Sequence, residues 1–90
     1  MTIAKSFRVT GRVQGVTFRA WTQSTARNLG LSGWVQNEND GSVTGHIEGP
    51  KEAVDRMVTA LYGGPGAAAV QAVESDEATV EDFDRFDIRH

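Results

Sequence analysis

Lys5-Ser6-Phe7-Arg8-Val9-Thr10-Gly11-Arg12-Val13-Gln14-Gly15-Val16-Thr17-Phe18-Arg19 is the stretch that decides the fold. Its first part alternates: Phe7, Val9 and Val13 share one side with Gly11, while Ser6, Arg8, Thr10 and Arg12 share the other. That period of two is the pattern of a half-buried strand. At Phe18 the period changes. Phe18, Trp21, Thr25 and Leu29 recur at helical spacing with Gln23, Ser24 and Arg27 opposite, and Gly30 supplies a stop. The spacing predicts a helix over 18–29. Gly15 lies between the two elements and permits a tight turn.

Working outward, Leu31, Gly33, Val35 and Asn37 share one side of a second strand, and Val43, Gly45 and Ile47 share one side of a third. Asn39-Asp40-Gly41 between them marks a hairpin. Gly49-Pro50 opens a second helix, whose Val54, Met57, Val58 and Leu61 repeat at helical spacing, with Glu52 and Arg56 able to pair on its outer side. Gly63-Gly64-Pro65-Gly66 ends it. Val70 to Val73 follows, then an acidic stretch from Glu74 to Asp84 that reads as a solvated loop. Phe86 to Arg89 reads as a short last strand. The order strand, helix, strand, strand, helix, strand, with an extra terminal strand, is that of an α+β, ferredoxin-like split βαβ sandwich. It has a mainly antiparallel sheet and two helices on one face. The 90 residues are expected to make one domain, 1–90, since a second has no room.

The composition excludes several chemistries. There is no cysteine, hence no disulfide framework, thiolate nucleophile or cysteine metal site. The two histidines, His46 and His90, make no metal cluster. By parity His46 points to the open sheet face with Thr44 and Glu48. The glutamates and aspartates read as mostly solvated. No G-x-S-x-G elbow is present. Trp21 fits the buried side of the first helix, and Trp34 the open sheet surface. The N-terminus lacks a signal peptide's apolar stretch and no run approaches the roughly 20 apolar residues of a membrane span, so a cytoplasmic protein without membrane contact is expected.

Charge is divided unevenly along the chain. Residues 1–37 hold Lys5, Arg8, Arg12, Arg19 and Arg27 and no acid, whereas all 12 acids lie beyond. Either the first part forms an electropositive region that draws in a small anion, or the two parts neutralise each other on folding.

The loop from Gly11 to Arg19 is where an anion would bind. Amides at a helix start, reinforced by the positive end of the helix dipole, hold phosphate-type groups, and Arg19 just inside the helix adds a planar charged fork. Neither the Walker A loop nor the dinucleotide fingerprint G-x-G-x-x-G occurs, which favours a small phosphate over a nucleotide. The plainer reading makes Gly15 a structural turn and Arg19 a surface charge. Asn37 shares parity with Val35 and Leu31, so it faces the helix-covered side where this loop must sit. Its plainer reading is the start of the hairpin turn.

Taken together, G-R-V-Q-G-V-T-F-R at 11–19, L-G-L-S-G-W-V-Q-N at 29–37, D-G-S-V-T-G-H-I-E-G-P at 40–50, the later P-G-A-A-A-V-Q-A-V and the closing F-D-R-F-D-I-R resemble the acylphosphatase family, in its order and approximate spacing over residues 5–90. The resemblance implies an enzyme that hydrolyses the carboxyl–phosphate bond of acyl phosphates to carboxylate and inorganic phosphate, without metal or cofactor. It makes Arg19 the substrate-binding arginine and Asn37 the residue that orients water. Gln14, Gly15, Val16, Thr17 and Phe18 then join Arg19 as the phosphate-binding loop. The expected partner is the small-molecule substrate alone, with the protein a monomer that binds no nucleic acid. Gln36 stands where the family often has Arg or Lys, and Glu38 follows Asn37. Both are expected to weaken anion attraction near the site.

Two other functions share the chain order. One is a non-catalytic anion-binding regulatory module, because the fold by itself decides no function. The other is RNA binding, which the missing aromatic RNP1 pattern and the net charge of −3 disfavour.

Overall fold

The computed structural model describes residues 1–90. Strand β1 (Thr2–Arg12), helix α1 (Phe18–Asn28), strands β2 (Ser32–Asn37) and β3 (Val43–Pro50), helix α2 (Lys51–Gly63) and strands β4 (Ala69–Ala78) and β5 (Phe86–Arg89) follow in the expected order. The strands form one sheet in the order β4-β1-β3-β2-β5. All neighbours are antiparallel except β2 and β5. Phe7, Val9, Val35, Val43 and Ile47 from the strands meet Phe18 and Ala26 of α1 and Val54, Met57 and Leu61 of α2 in a single core on one face. No helix is long and apolar enough to cross a membrane.

Helix α1 packs by a different stripe from the one its periodicity suggests, and α2 by a narrower one, with Val58 only partly buried. In α1 the buried residues are Phe18, Thr22 and Ala26, while Trp21 and Leu29 are only partly buried at the margin of the core. The small side chains at 22 and 26 take the buried positions, and Trp21 lies beside them at the margin. Trp21 tilts against Phe18, with ring centroids 5.4 Å apart. On α2 the outer pair is Lys51–Asp55 at 2.8 Å rather than Glu52–Arg56, and Lys5 of β1 lies 3.9 Å from the same carboxylate. The hydrogen bond from Lys51 holds the Asp55 carboxyl below its usual range.

Only residues 79–84 of the acidic stretch form the expected loop. Residues Glu74–Ala78 continue β4, which pairs only with β1 and sets Glu74 opposite Arg8 and Glu77 opposite Lys5. Opposite charges facing across strands favour the pairing, and acids on an outer edge discourage a further strand from adding there. Alternation is invisible in the sequence because both faces of this edge strand are largely polar.

The sheet face opposite the helices is not fully open either. The segment 79–85 returns across it and buries His46 and Glu48 to 4% and 3% exposure. Glu48 accepts the main-chain N–H groups of Glu81 at 3.0 Å and Phe83 at 3.3 Å, and lies 2.8 Å from His46 Nε2. The Phe83 ring meets the imidazole edge-on at 5.3 Å. His46 and Glu48 thus occupy the expected face, but as a covered polar pair. Trp34 shares that face, with the Arg89 guanidinium 4.4 Å above its ring.

One glycine in the sheet has no substitute. Gly33 has φ of +138°, and a Cβ there would run into the carbonyl oxygen of His46 on β3. Gly33→Ala is expected to lower stability by roughly 2–4 kcal/mol, combining overpacking with an unfavourable φ, as read from the denaturant midpoint at constant slope.

Candidate active site

Two backbone reversals join β1 to α1. Gly15 has φ of +72° and Thr17 φ of +62°. A glycine adopts the left-handed region freely, whereas for threonine it costs about 1–2 kcal/mol. Thr17 is the N-cap of α1, and its carbonyl accepts the Trp21 N–H at 2.9 Å. Its hydroxyl donates backwards to the Val16 carbonyl and caps no helix amide. The amides of the first helical turn therefore have neither an intrahelical acceptor nor a side-chain cap. No acid occupies that turn, so the positive end of the helix is uncompensated.

Around this helix start Val13, Gly15, Thr17, Phe18, Arg19 and Ala20 line a concavity of about 190 Å³, closed by Asn37, Ile88 and His90. Asn37 arrives as the last residue of β2. β5 arrives because it runs parallel to β2, with Arg89 in register with Gln36. Gln23 and Arg27 of α1 fix β5 from behind by donating to the Phe86 carbonyl at 3.1 and 3.2 Å. Arg19 Nη1 donates to the Arg89 carbonyl at 3.2 Å and lies 3.3 Å from His90 Nδ1.

The charge asymmetry resolves into both readings. Lys5 and Arg8 are neutralised by Asp55 and Asp40, Arg8 at 2.6 Å. Arg19 is bonded to a carbonyl and forms no ion pair with a carboxylate. A guanidinium at the positive end of a helix raises the local potential further and fits a site for an anion.

Of the residues singled out in the sequence, Gly15, Thr17, Phe18, Arg19 and Asn37 meet in this concavity. Gln14 and Val16 are not among its lining. Val16 packs against the margin of the core. Gln14 turns its amide to the carbonyls of Glu38 and Ser42, at 2.7 and 2.8 Å. Ile88 and His90 gave no sequence signal, because their approach depends on the parallel β2–β5 register. Ala20, next to Arg19 in the first turn, was recoverable from the helix start.

Glu38 does not face Arg19. Its carboxylate accepts Gln36 Nε2 at 2.6 Å and Thr44 Oγ1 at 2.5 Å, on the sheet face away from the helices. Those two hydrogen bonds hold its carboxyl below the usual value. Gln36 thus restrains the acid rather than facing the concavity.

The fold and this helix-start concavity define a ferredoxin-like α+β protein with uncapped helix amides, Arg19 and Asn37 around one small space. Comparison with known proteins narrows the class. The acylphosphatase family model matches residues 5–88. The acylphosphatase of Rhizobium meliloti (strain 1021) is 57% identical over 72 residues, 80% of this chain and 76% of its own. That of Salinibacter ruber is 46% identical over 85 residues, 93% of this chain and 90% of its own. The crystal structure of acylphosphatase from Bacillus subtilis superposes with a TM-score of 0.95 at 36% identity, covering all of both chains. The chain belongs to the acylphosphatase family.

Proposed function

We propose that this enzyme hydrolyses acyl phosphates in the concavity at the start of α1, yielding a carboxylate and inorganic phosphate. An acyl phosphate is a mixed anhydride whose leaving group is a weak base, so its departure needs no strong protein acid. What remains is positioning and charge. Water adds to phosphorus as the bond to the acyl oxygen breaks, the carboxylate leaves with the electron pair, and the water's proton passes to a phosphate oxygen. The first-turn amides and the Arg19 fork stabilise the charge that spreads over the equatorial oxygens. Asn37 offers an amide that accepts from and donates to the attacking water, a contribution of orientation rather than basicity.

The observation that carries this reading is the meeting of Arg19, bound to no carboxylate, with uncapped helix-start amides and Asn37 around one concavity of about 190 Å³. The similarity to acylphosphatases over most of the chain favours catalysis over a binding-only module. Because amides and one guanidinium supply the required positive charge, the reaction is read as metal-independent and the loop as phosphate-binding. The protein is read as a cytoplasmic monomer.

The test is turnover of a synthetic acyl phosphate in excess chelator, with Asn37→Ala in parallel. The wild type is expected to keep its full rate. The variant is expected to lose about 10²-fold or more in kcat while binding inorganic phosphate as the wild type does. A chelator-sensitive wild type, or an Asn37→Ala variant of normal kcat, would refute the corresponding role.

A further inference from the structure

Asn37 stands at the far end of a strand that never touches β1. In the sheet β3 lies between β1 and β2, with Val43 opposite both Val9 and Asn37, so the residue ending β2 is tied to β1 only through β3, and the phosphate loop beyond Arg12 has no strand pairing to it. If Asn37 holds the attacking water, its distance from the loop must be fixed to a fraction of an ångström, since a misplacement of about 1 Å costs about 10²-fold in rate. A contact made directly by the loop can hold this end of β2 more closely.

Gln14 does so. Its Nε2 donates both of its hydrogens, one to the Glu38 carbonyl at 2.7 Å and one to the Ser42 carbonyl at 2.8 Å. These carbonyls belong to the turn that immediately follows Asn37. The same two close that turn from within, as Glu38 N–H donates to the Ser42 carbonyl at 2.8 Å and Gly41 N–H to the Glu38 carbonyl at 3.2 Å. Asn37 is paired across to Val43 at this end of the hairpin, and Ser42 and Val43 are buried. Arg8 steadies the other side of the turn through Asp40 at 2.6 Å and the Ser42 hydroxyl at 2.9 Å. The base of the turn is therefore held directly to the phosphate loop by one side chain. With both N–H groups engaged, that carboxamide has no hydrogen left to donate to a phosphate.

We infer that Gln14 is a positioning residue for Asn37: its amide latches the β2–β3 turn to the phosphate loop and sets the distance between the water-holding amide and the bound anion. It acts on the rate through Asn37 and not on phosphate affinity. The inference rests on Asn37 holding the water, as proposed above.

The test compares Gln14→Met, of similar length without donors, with Asn37→Ala and with the double variant, measuring kcat, KM and inhibition by inorganic phosphate. Gln14→Met is expected to lose about 10- to 100-fold in kcat, with KM and the phosphate inhibition constant within about threefold of the wild type. The double variant is expected to be no slower than Asn37→Ala within about threefold, because the latch has nothing left to position. Full activity of Gln14→Met beside an inactive Asn37→Ala overturns the latch alone. A parallel fall in phosphate affinity, or losses that multiply in the double variant, overturns it in favour of direct contact or independent action. Normal kcat in Asn37→Ala overturns the water-holding role and the latch with it. Should Gln14→Met melt below the assay temperature, the wild type itself decides: NMR couplings across hydrogen bonds from Gln14 Nε2 to the carbonyls of Glu38 and Ser42 are expected, and their absence overturns the latch.

Discussion

Arg19→Ala is expected to lower kcat/KM for an acyl phosphate by about 10³-fold or more and to abolish binding of inorganic phosphate. Removing one preorganised donor from a site of developing charge typically costs about 10²- to 10³-fold, and a guanidinium removes its charge together with a planar fork of donors. In the proposed role the same residue meets the anion in substrate, transition state and product, so affinity and rate should fall together. This separates it from Asn37, whose loss is expected to spare binding. The fold should survive, because Arg19 reaches only the Arg89 carbonyl and His90 through its side chain. Arg19→Lys retains the charge without the fork and should fall between the wild type and alanine. Steady-state kinetics with phosphate titration monitored by NMR would check this. A normal phosphate affinity in the alanine variant would remove Arg19 from the site.

Glu48→Leu is expected to cost about 3 kcal/mol of stability at neutral pH. The carboxylate is almost fully buried and serves three partners at once, so its removal leaves the amides of Glu81 and Phe83 and the imidazole of His46 without their acceptor. Each buried donor left unsatisfied costs about 1–3 kcal/mol, and breaking a buried pair costs about 3–5. A loss of that size would lower the melting temperature by roughly 10–20 °C in a protein of this length. The wild-type advantage should also depend on pH. Burial pushes the Glu48 carboxyl up, but the Glu81 amide, His46 and the Phe83 amide together outweigh it and leave it below its ordinary 4.5. A carboxyl lowered in the folded state binds fewer protons there than in the unfolded chain. Its stabilisation is therefore complete above about pH 4.5 and declines as pH falls towards and through the depressed folded value. Denaturant unfolding at neutral and acid pH should show the two proteins converging in acid. A constant gap would mean that Glu48 acts through packing alone.

The helix start and its arginine were legible because their geometry is local. A glycine between a period of two and a period of 3.6 leaves few ways to connect strand to helix, and the amides exposed there follow from backbone stereochemistry. Asn37 was legible for a related reason: strand parity puts it on the side of Val35, and that side carries the helices. Two local signals misled. Trp21 looked like the centre of the helix face, but Thr22 and Ala26 are the buried residues beside Phe18. Glu74 to Ala78 looked like loop, because an edge strand polar on both faces shows no apolar alternation. Gln14 was placed in the phosphate-binding loop by the family resemblance, and the structure adds that its side-chain amide donates to two carbonyls at sequence separations of 24 and 28.

By itself the sequence determined the order of elements, the turn that leaves helix amides uncapped, and the side of the sheet on which Arg19 and Asn37 meet, because near-neighbour sterics and side-chain periodicity govern each of these. Only the tertiary structure decided which carbonyls Gln14 would hold, that β5 would bring Arg89 and His90 to Arg19 across 70 and 71 residues, and that the segment 79–85 would close over His46 and Glu48. Those contacts follow from strand order and register, which the packing of the whole core selects and no local stretch encodes.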